Sequence, residues 1–135
     1  MTTNAERAAI LERALRARVE GDRRGAEQLY TDDVKAWTPA FSTSSRTELL
    51  AEFDRTDDAF SDVSLDVTPL DVGGDFACAE WTVTMVVPDS GDGRFSVHGI
   101  TIAEFDGDRI CALRQYWDER AVSDLLGDGD SESQA

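Results

Sequence analysis

RFSVHGITIAEF (Arg94–Phe105), DGDR (Asp106–Arg109) and ICALRQYWD (Ile110–Asp118) follow one another without a break, and together they decide the fold. Side-chain character alternates along both arms, which is the period of half-buried β-strands. Between them Asp106-Gly107 supplies the turn, because glycine reaches the left-handed backbone that a tight hairpin requires. These segments therefore form an antiparallel hairpin, and the question is what precedes it.

Upstream, the local signals alternate between helix starts and turns. Thr3-Asn4-Ala5-Glu6 is a capping box, after which Ala8, Leu11, Leu15 and Val19 recur at helical spacing. Gly21 closes that helix, and Asp22 caps a short second one carrying Ala26, Leu29 and Tyr30. A short strand, Val34 to Thr38, runs into Pro39. Ser45-Arg46-Thr47-Glu48 is a second capping box and opens a helix with Leu49, Leu50, Phe53 and Phe60. Four strands follow, over about 63–72, 76–87, 94–105 and 109–118. Gly73-Gly74, the run Pro88 to Gly93, and Asp106-Gly107 mark their turns. Ala121 to Leu126 adds a helical turn, and the tail GDGDSESQA is too polar to pack. The expected organisation is one domain over 1–126 and an acidic disordered tail over 127–135. Helix, helix, strand, helix and then a meander is an α+β layout, with helices on one face of the sheet.

Composition removes several functional classes. The chain has 135 residues and a net charge of −15, from 28 acidic against 13 basic residues, of which only Lys35 is lysine. Such a surplus repels nucleic acid and anionic lipid, so neither is expected as a partner. No apolar run reaches the length of a membrane span, and no secretory pattern opens the chain, so a cytoplasmic location is expected. Cys78 and Cys111 fall two strands apart in a meander, roughly 9–10 Å, beyond the reach of a disulfide. They are expected to be reduced thiols. One histidine and two separated cysteines make no metal constellation, and no glycine-rich phosphate loop follows a strand. No cofactor and no metal are expected.

In their order and spacing, several segments resemble the NTF2-like superfamily, and within it the SnoaL-like branch that includes polyketide cyclases and ketosteroid isomerases. They are Glu20-Gly21-Asp22, Leu29 to Val34, Trp37-Thr38-Pro39, His98 to Thr101, Phe105 to Ile110, and Arg114 to Asp118. The likeness spans roughly residues 5–126. It implies a cone in which a curved, mainly antiparallel sheet wraps three N-terminal helices around an apolar pocket, with the opposite sheet face commonly forming a dimer. It also implies pocket positions at Trp37, Thr38, Phe53, Thr82, Thr101, Leu113 and Trp117, with Glu80 and Gln115 beside them.

The same comparison removes two mechanisms. Where ketosteroid isomerases carry a general-base aspartate this chain has Thr38. Their protonated aspartate falls at Thr101, and their helix-one tyrosine at Ala14. The acids of limonene epoxide hydrolases fall near Thr82 and at Gln115, and their arginine near Glu80. Neither apparatus is present.

Strand parity sorts the remaining candidates. Cys78, Glu80, Thr82, Thr84 and Val86 share one face, and Ala79, Trp81, Val83 and Met85 share the other. On the residues alone the second, more apolar set is the core, and Glu80 and Thr82 are solvated. Under the resemblance Glu80 and Thr82 line the pocket, while Trp81, Val83 and Met85 anchor a homodimer through the outer face. His98, the only imidazole, points away from Thr101 unless a bulge at Gly99 reverses the parity. Two functions are compatible with this set. One is a cofactor-independent cyclase, isomerase or dehydratase acting on a hydrophobic polyketide- or terpenoid-like molecule. In it Glu80 moves a proton, while His98, Gln115 or a threonine hydrogen-bonds a developing oxyanion. The other is a ligand-binding or dimer-forming domain that has lost the catalytic aspartates.

Overall fold

The computed structural model describes residues 2–57, 61–70, 72–86 and 94–118. Thr3 opens α1 (Asn4–Glu20) with both halves of the expected capping box: its hydroxyl accepts from Glu6 N, and Glu6 Oε1 accepts from Thr3 N. Gly21 closes the helix at φ 73°, in the left-handed region that suits glycine. Asp22 caps α2 (Arg23–Leu29) through Gly25 N. The chain then passes directly into β1 (Tyr30–Trp37), four residues earlier than the sequence suggests. Asp32 and Asp33 read as a helix breaker, yet both sit at exposed strand positions, and Asp32 pairs with Arg46 at 2.7 Å. A two-residue strand, β2 (Ser42–Thr43), precedes α3 (Arg46–Asp57). Ser45 caps α3, while Glu48 reaches back to Ser44 N instead of Ser45 N.

The meander follows as β3 (Ser61–Leu70), β4 (Phe76–Val86), β5 (Arg94–Asp106) and β6 (Arg109–Trp117). All six strands form one sheet in the order β2-β1-β6-β5-β4-β3. Only the β1–β6 pair is parallel; every other neighbouring pair is antiparallel. Among the described residues the architecture is α+β with three helices and a mainly antiparallel sheet, as expected. Phe60, the helical turn at 121–126 and the tail at 127–135 lie outside the described residues.

A core of Leu11, Ala14, Leu15, Leu49, Leu50 and Phe53 from the helices meets one sheet face. That inner face carries Val34 and Ala36 of β1, Ala77, Ala79 and Trp81 of β4, Val97, Ala103 and Phe105 of β5, and Ile110 and Leu113 of β6. A bulge keeps this face consistent along β6. Glu104 pairs with Ala112 and Phe105 with Ile110, so Cys111 is skipped. The extra residue turns Ile110 inward, where it is fully buried. Cys78 and Cys111 are free, as expected, and burial raises both thiols above the ordinary cysteine range. No described helix is long and apolar enough to cross a membrane.

Candidate functional site

Strand register builds the inner face as cross-strand rows. One row is Trp81–Gly99–Trp117, and the next is Ala79–Thr101–Gln115. A third, Ala77–Ala103–Leu113–Ala36, is wholly buried. Burial loosens in the other direction: Val83, Met85, Gln115 and Trp117 are only half-buried, although Val83, Met85 and Trp117 still pack against the core. The inner face is therefore closed at one end and more open at the end carrying both tryptophans.

Among the described residues of β4, β5 and β6, polar groups on this face lie in the first two of these rows. Trp81 Nε1 donates to Thr101 Oγ1 at 2.8 Å, and Gln115 Nε2 donates to the same oxygen at 3.1 Å. Thr101 is fully buried and Trp81 is 7% exposed, so this network sits in a low-dielectric setting where hydrogen bonds are strong and unpaired groups costly. The Trp81 ring lies directly over Gly99, with Cη2 and Cζ2 each 2.5 Å from where a Cβ would stand. Gly99 is thus a site of close approach, and β4 and β5 pair through it without a register shift. The bulge that would have turned His98 inward is absent.

Several expectations about faces are corrected here. Glu80, Thr82 and His98 project from the outer face, not toward the helices. There Thr82 Oγ1 lies 2.9 Å from His98 Nδ1 and His98 Nε2 lies 3.9 Å from Glu80 Oε2, with the histidine and glutamate side chains 66% and 48% exposed. Trp81, Val83 and Met85, expected as outward dimer anchors, are core-facing. The apolar set of β4 covers the helices because burying it removes the most hydrocarbon from water; the polar set is left to solvent. Trp37 is also on the outer face, 45% exposed, its ring 5.2 Å from that of Tyr116.

The other predicted positions do face inward. Thr101, Leu113, Gln115 and Trp117 belong to the rows above. Phe53 is buried on α3, with the Arg18 guanidinium 4.5 Å from its ring centre. Thr38 is buried but chemically committed, because its hydroxyl accepts from Ala40 N and Phe41 N at 3.0 Å and donates to Phe41 O at 3.2 Å. It holds the turn after β1 and has no free valence for a ligand. Trp81 is the hydrogen-bonding residue of this face that the family likeness put on the wrong side, together with Val83 and Met85. The isolated strand glycine at 99 was its signal, since a glycine inside a strand marks either a bulge or a close approach.

An open cleft of about 370 Å³ lies elsewhere, between the start of α1 and the β3–β4 turn, bordered by Asn4, Ala8, Pro69, Leu70, Phe76 and Ala77. Its lining holds none of the predicted site residues. Its one polar side chain, Asn4, already accepts from the Arg7 guanidinium at 2.6 Å. This cleft offers little with which to orient a ligand, and the tryptophan rows are the better candidate. No group of ligands for a metal ion occurs among the described residues.

Comparison with known proteins follows this geometry. Residues 11–113 match the model of the SnoaL-like domain. A search of curated proteins returned no match. Among solved structures, TsrD from Streptomyces laurentii superposes with a TM-score of 0.80 at 23% identity, covering 94% of this chain and 98% of that one. AclR, a proposed hydroxylase from Streptomyces galilaeus, gives 0.78 at 20% identity over 93% and 98% of the two chains. A proposed polyketide cyclase from Xanthomonas campestris gives 0.76 at 18% identity over 87% and 95%. At these identities the superpositions establish the fold and nothing finer. With three helices packed on a six-stranded sheet, and with the family model matched from within α1 to Leu113, the chain belongs to the SnoaL-like domain family and has its NTF2-like fold.

Proposed function

We propose that this protein binds a small hydrophobic molecule on the inner face, between the Trp81–Gly99–Trp117 row and the helices, and does so without proton-transfer catalysis by its own carboxylates. One observation supports this above the others. From Ala77 to Met85, Val97 to Phe105 and Leu113 to Trp117, no Asp, Glu, Lys, Arg or His has inward parity. General acid–base work needs a titratable group within hydrogen-bond reach of the substrate. This face offers indole, amide and hydroxyl groups, which orient a ligand but do not hold a proton in reserve. The test is ligand binding by the full chain with Glu80→Gln and His98→Ala introduced separately. Affinity for an apolar aromatic probe should stay within about twofold of wild type in both, whereas a tenfold loss would place the ligand on the outer face.

The enzyme reading keeps one support, the structural neighbours described as a proposed hydroxylase and a proposed polyketide cyclase. In that reading Gln115 donates to a developing oxyanion beside Thr101. Its base must then come from somewhere other than Glu80 or His98, which stand on the far side of the sheet. Turnover of a polyketide-like substrate that survives both outer-face substitutions and falls with Gln115→Leu would favour it over simple binding.

Homodimerisation is proposed through the same outer face as first expected, but with different residues. Trp37 and Tyr116 are in tilted ring contact and are 45% and 42% exposed, and Ile100, opposite Tyr116 in the register, extends the patch with Ile102. Sedimentation at tens of micromolar should show a dimer that the pair Trp37→Glu and Tyr116→Glu converts to monomer without lowering the melting temperature of the fold. A monomeric wild type at that concentration would refute the assignment.

A further inference from the structure

The outer face of the sheet holds the chain's single histidine in a defined setting. His98 stands opposite Thr82 on the neighbouring strand and diagonal to Glu80, which faces Ile100. Thr82 Oγ1 lies 2.9 Å from His98 Nδ1, and Glu80 Oε2 lies 3.9 Å from His98 Nε2. The second distance is too long for a hydrogen bond, so Glu80 does not fix a proton on Nε2. With Nδ1–H donating to Thr82 Oγ1, the ring's lone pair falls on Nε2, the nitrogen nearer the carboxylate. An imidazole nitrogen and a carboxylate oxygen thus stand side by side as electron-pair donors, on side chains 66% and 48% exposed. Two ligands on one tetrahedral zinc ion lie about 3.4 Å apart, given bonds of roughly 2.0–2.2 Å. A small turn of the Glu80 side chain closes the difference. A second-shell hydrogen bond on the other ring nitrogen, as Thr82 makes here, is what orients a histidine toward a metal.

One chain supplies two such ligands, whereas zinc takes four. We propose that the outer face binds a zinc ion between two copies of this chain, each giving His98 Nε2 and Glu80 Oε2, so that the site is complete only in the homodimer. It rests on the homodimer reading above only in taking the outer face as the place where two copies meet. Four ligands drawn from two identical pairs put the metal on a two-fold axis, and an isologous interface has such an axis. The location fits, because Glu80, Ile100 and Tyr116 form one cross-strand row and the pair therefore borders the apolar patch. Charge supplies the reason for a cation. Each copy carries a net charge of −15, and Glu80 and the exposed Asp66, opposite Thr82, both lie on this face. Arg114 stands two strands away from Glu80, opposite Trp37. Two such faces repel until a positive ion stands between them. Imidazole beside carboxylate suits zinc and disfavours magnesium and calcium, which take oxygen ligands.

Zinc chloride is titrated into the metal-free full chain, with magnesium chloride as the control. Sedimentation reports the oligomer, and NMR follows the imidazole nitrogens of His98, which are unambiguous because the chain has a single histidine. Zinc should saturate at one ion per two chains and tighten dimerisation by about tenfold or more, whereas magnesium at the same concentration should not. The Nε2 resonance should move strongly while Nδ1 keeps its proton. His98→Ala and Glu80→Gln should each abolish the tightening. The Nε2 shift and the stoichiometry are measured on wild type, so the test stands even if a variant folds poorly. Saturation at one zinc per chain without tighter dimers, an equal response to magnesium, tightening that persists in His98→Ala, or zinc binding that leaves Nε2 unmoved would each overturn the proposal. A metal-free chain that stays monomeric but pairs on zinc with these signatures would fault the aromatic patch as an interface and leave the metal site standing. A metal-free dimer indifferent to zinc would do the reverse.

Discussion

Replacing Trp81 by alanine should destabilise the protein by about 3–5 kcal/mol, lowering its melting temperature by roughly 10–20 °C. The side chain is core-facing and 7% exposed, and no neighbour is free to collapse into its volume: Gly99 beneath it has no side chain, and Ala79 is small. A cavity therefore remains, and the lost contacts are not recovered. The loss also strips Thr101 Oγ1 of one of its two donors. Trp81→Phe separates the two contributions, since it keeps most of the ring and removes only the N–H; its cost should be about 1–2 kcal/mol. Trp37→Ala serves as the contrast. At 45% exposure it should change stability by less than about 1 kcal/mol. Urea unfolding of the three variants measures all of this. Should Trp81→Ala unfold like wild type but sediment differently, Trp81 would be an interface residue after all, and the assignment of sheet faces would be inverted.

The face of β4 is where sequence reasoning failed, and the reason is physical. A strand has only two faces, so shifting an alignment by one residue exchanges everything buried for everything exposed. Placing Glu80 and Thr82 inward by likeness to related enzymes moved Trp81, Val83 and Met85 outward in one step. Hydrophobic patterning within the strand pointed the other way and agrees with the structure. Where a signal was local and chemical it was legible: Thr3 caps α1 with both bonds, Asp22 caps α2, Gly21 and Gly107 adopt positive φ, and β5 and β6 form the expected hairpin. The two-residue β2 carried no periodicity to read. At Tyr30 to Asp33, two exposed acidic residues disguised the start of β1 as a turn. Within the site, Thr101, Gln115 and Trp117 were placed on the correct face by likeness to related proteins, but the bond that ties Thr101 to Trp81 was not foreseeable. It depends on register between strands, and register is set by the whole sheet.

Gly99→Ala should destabilise the protein by about 2–3 kcal/mol, although the same change in an ordinary strand interior is mildly stabilising. Alanine loses less backbone freedom on folding than glycine does, which is worth roughly 0.5–1 kcal/mol in its favour. Here sterics reverse the sign. A Cβ on Gly99 would lie 2.5 Å from two carbons of the Trp81 ring and 2.5 Å from the backbone oxygen of Tyr116. An indole can tilt at some cost, but the Tyr116 carbonyl belongs to β6 and cannot retreat without disturbing the β5–β6 ladder. Overpacking of this kind typically costs about 1–3 kcal/mol, and this site meets two obstacles at once. The neighbours should also be coupled. Combining Gly99→Ala with Trp81→Leu removes the ring clash but not the carbonyl clash, so rescue should be partial, with an interaction energy of about 1–2 kcal/mol in a double-mutant cycle. Full additivity would mean that the tryptophan is not packed on the glycine. A Gly99→Ala protein as stable as wild type would show that β5 can move away from both neighbours, and a site built from Trp81, Gly99 and Trp117 would then lack the rigid floor that positions its donors.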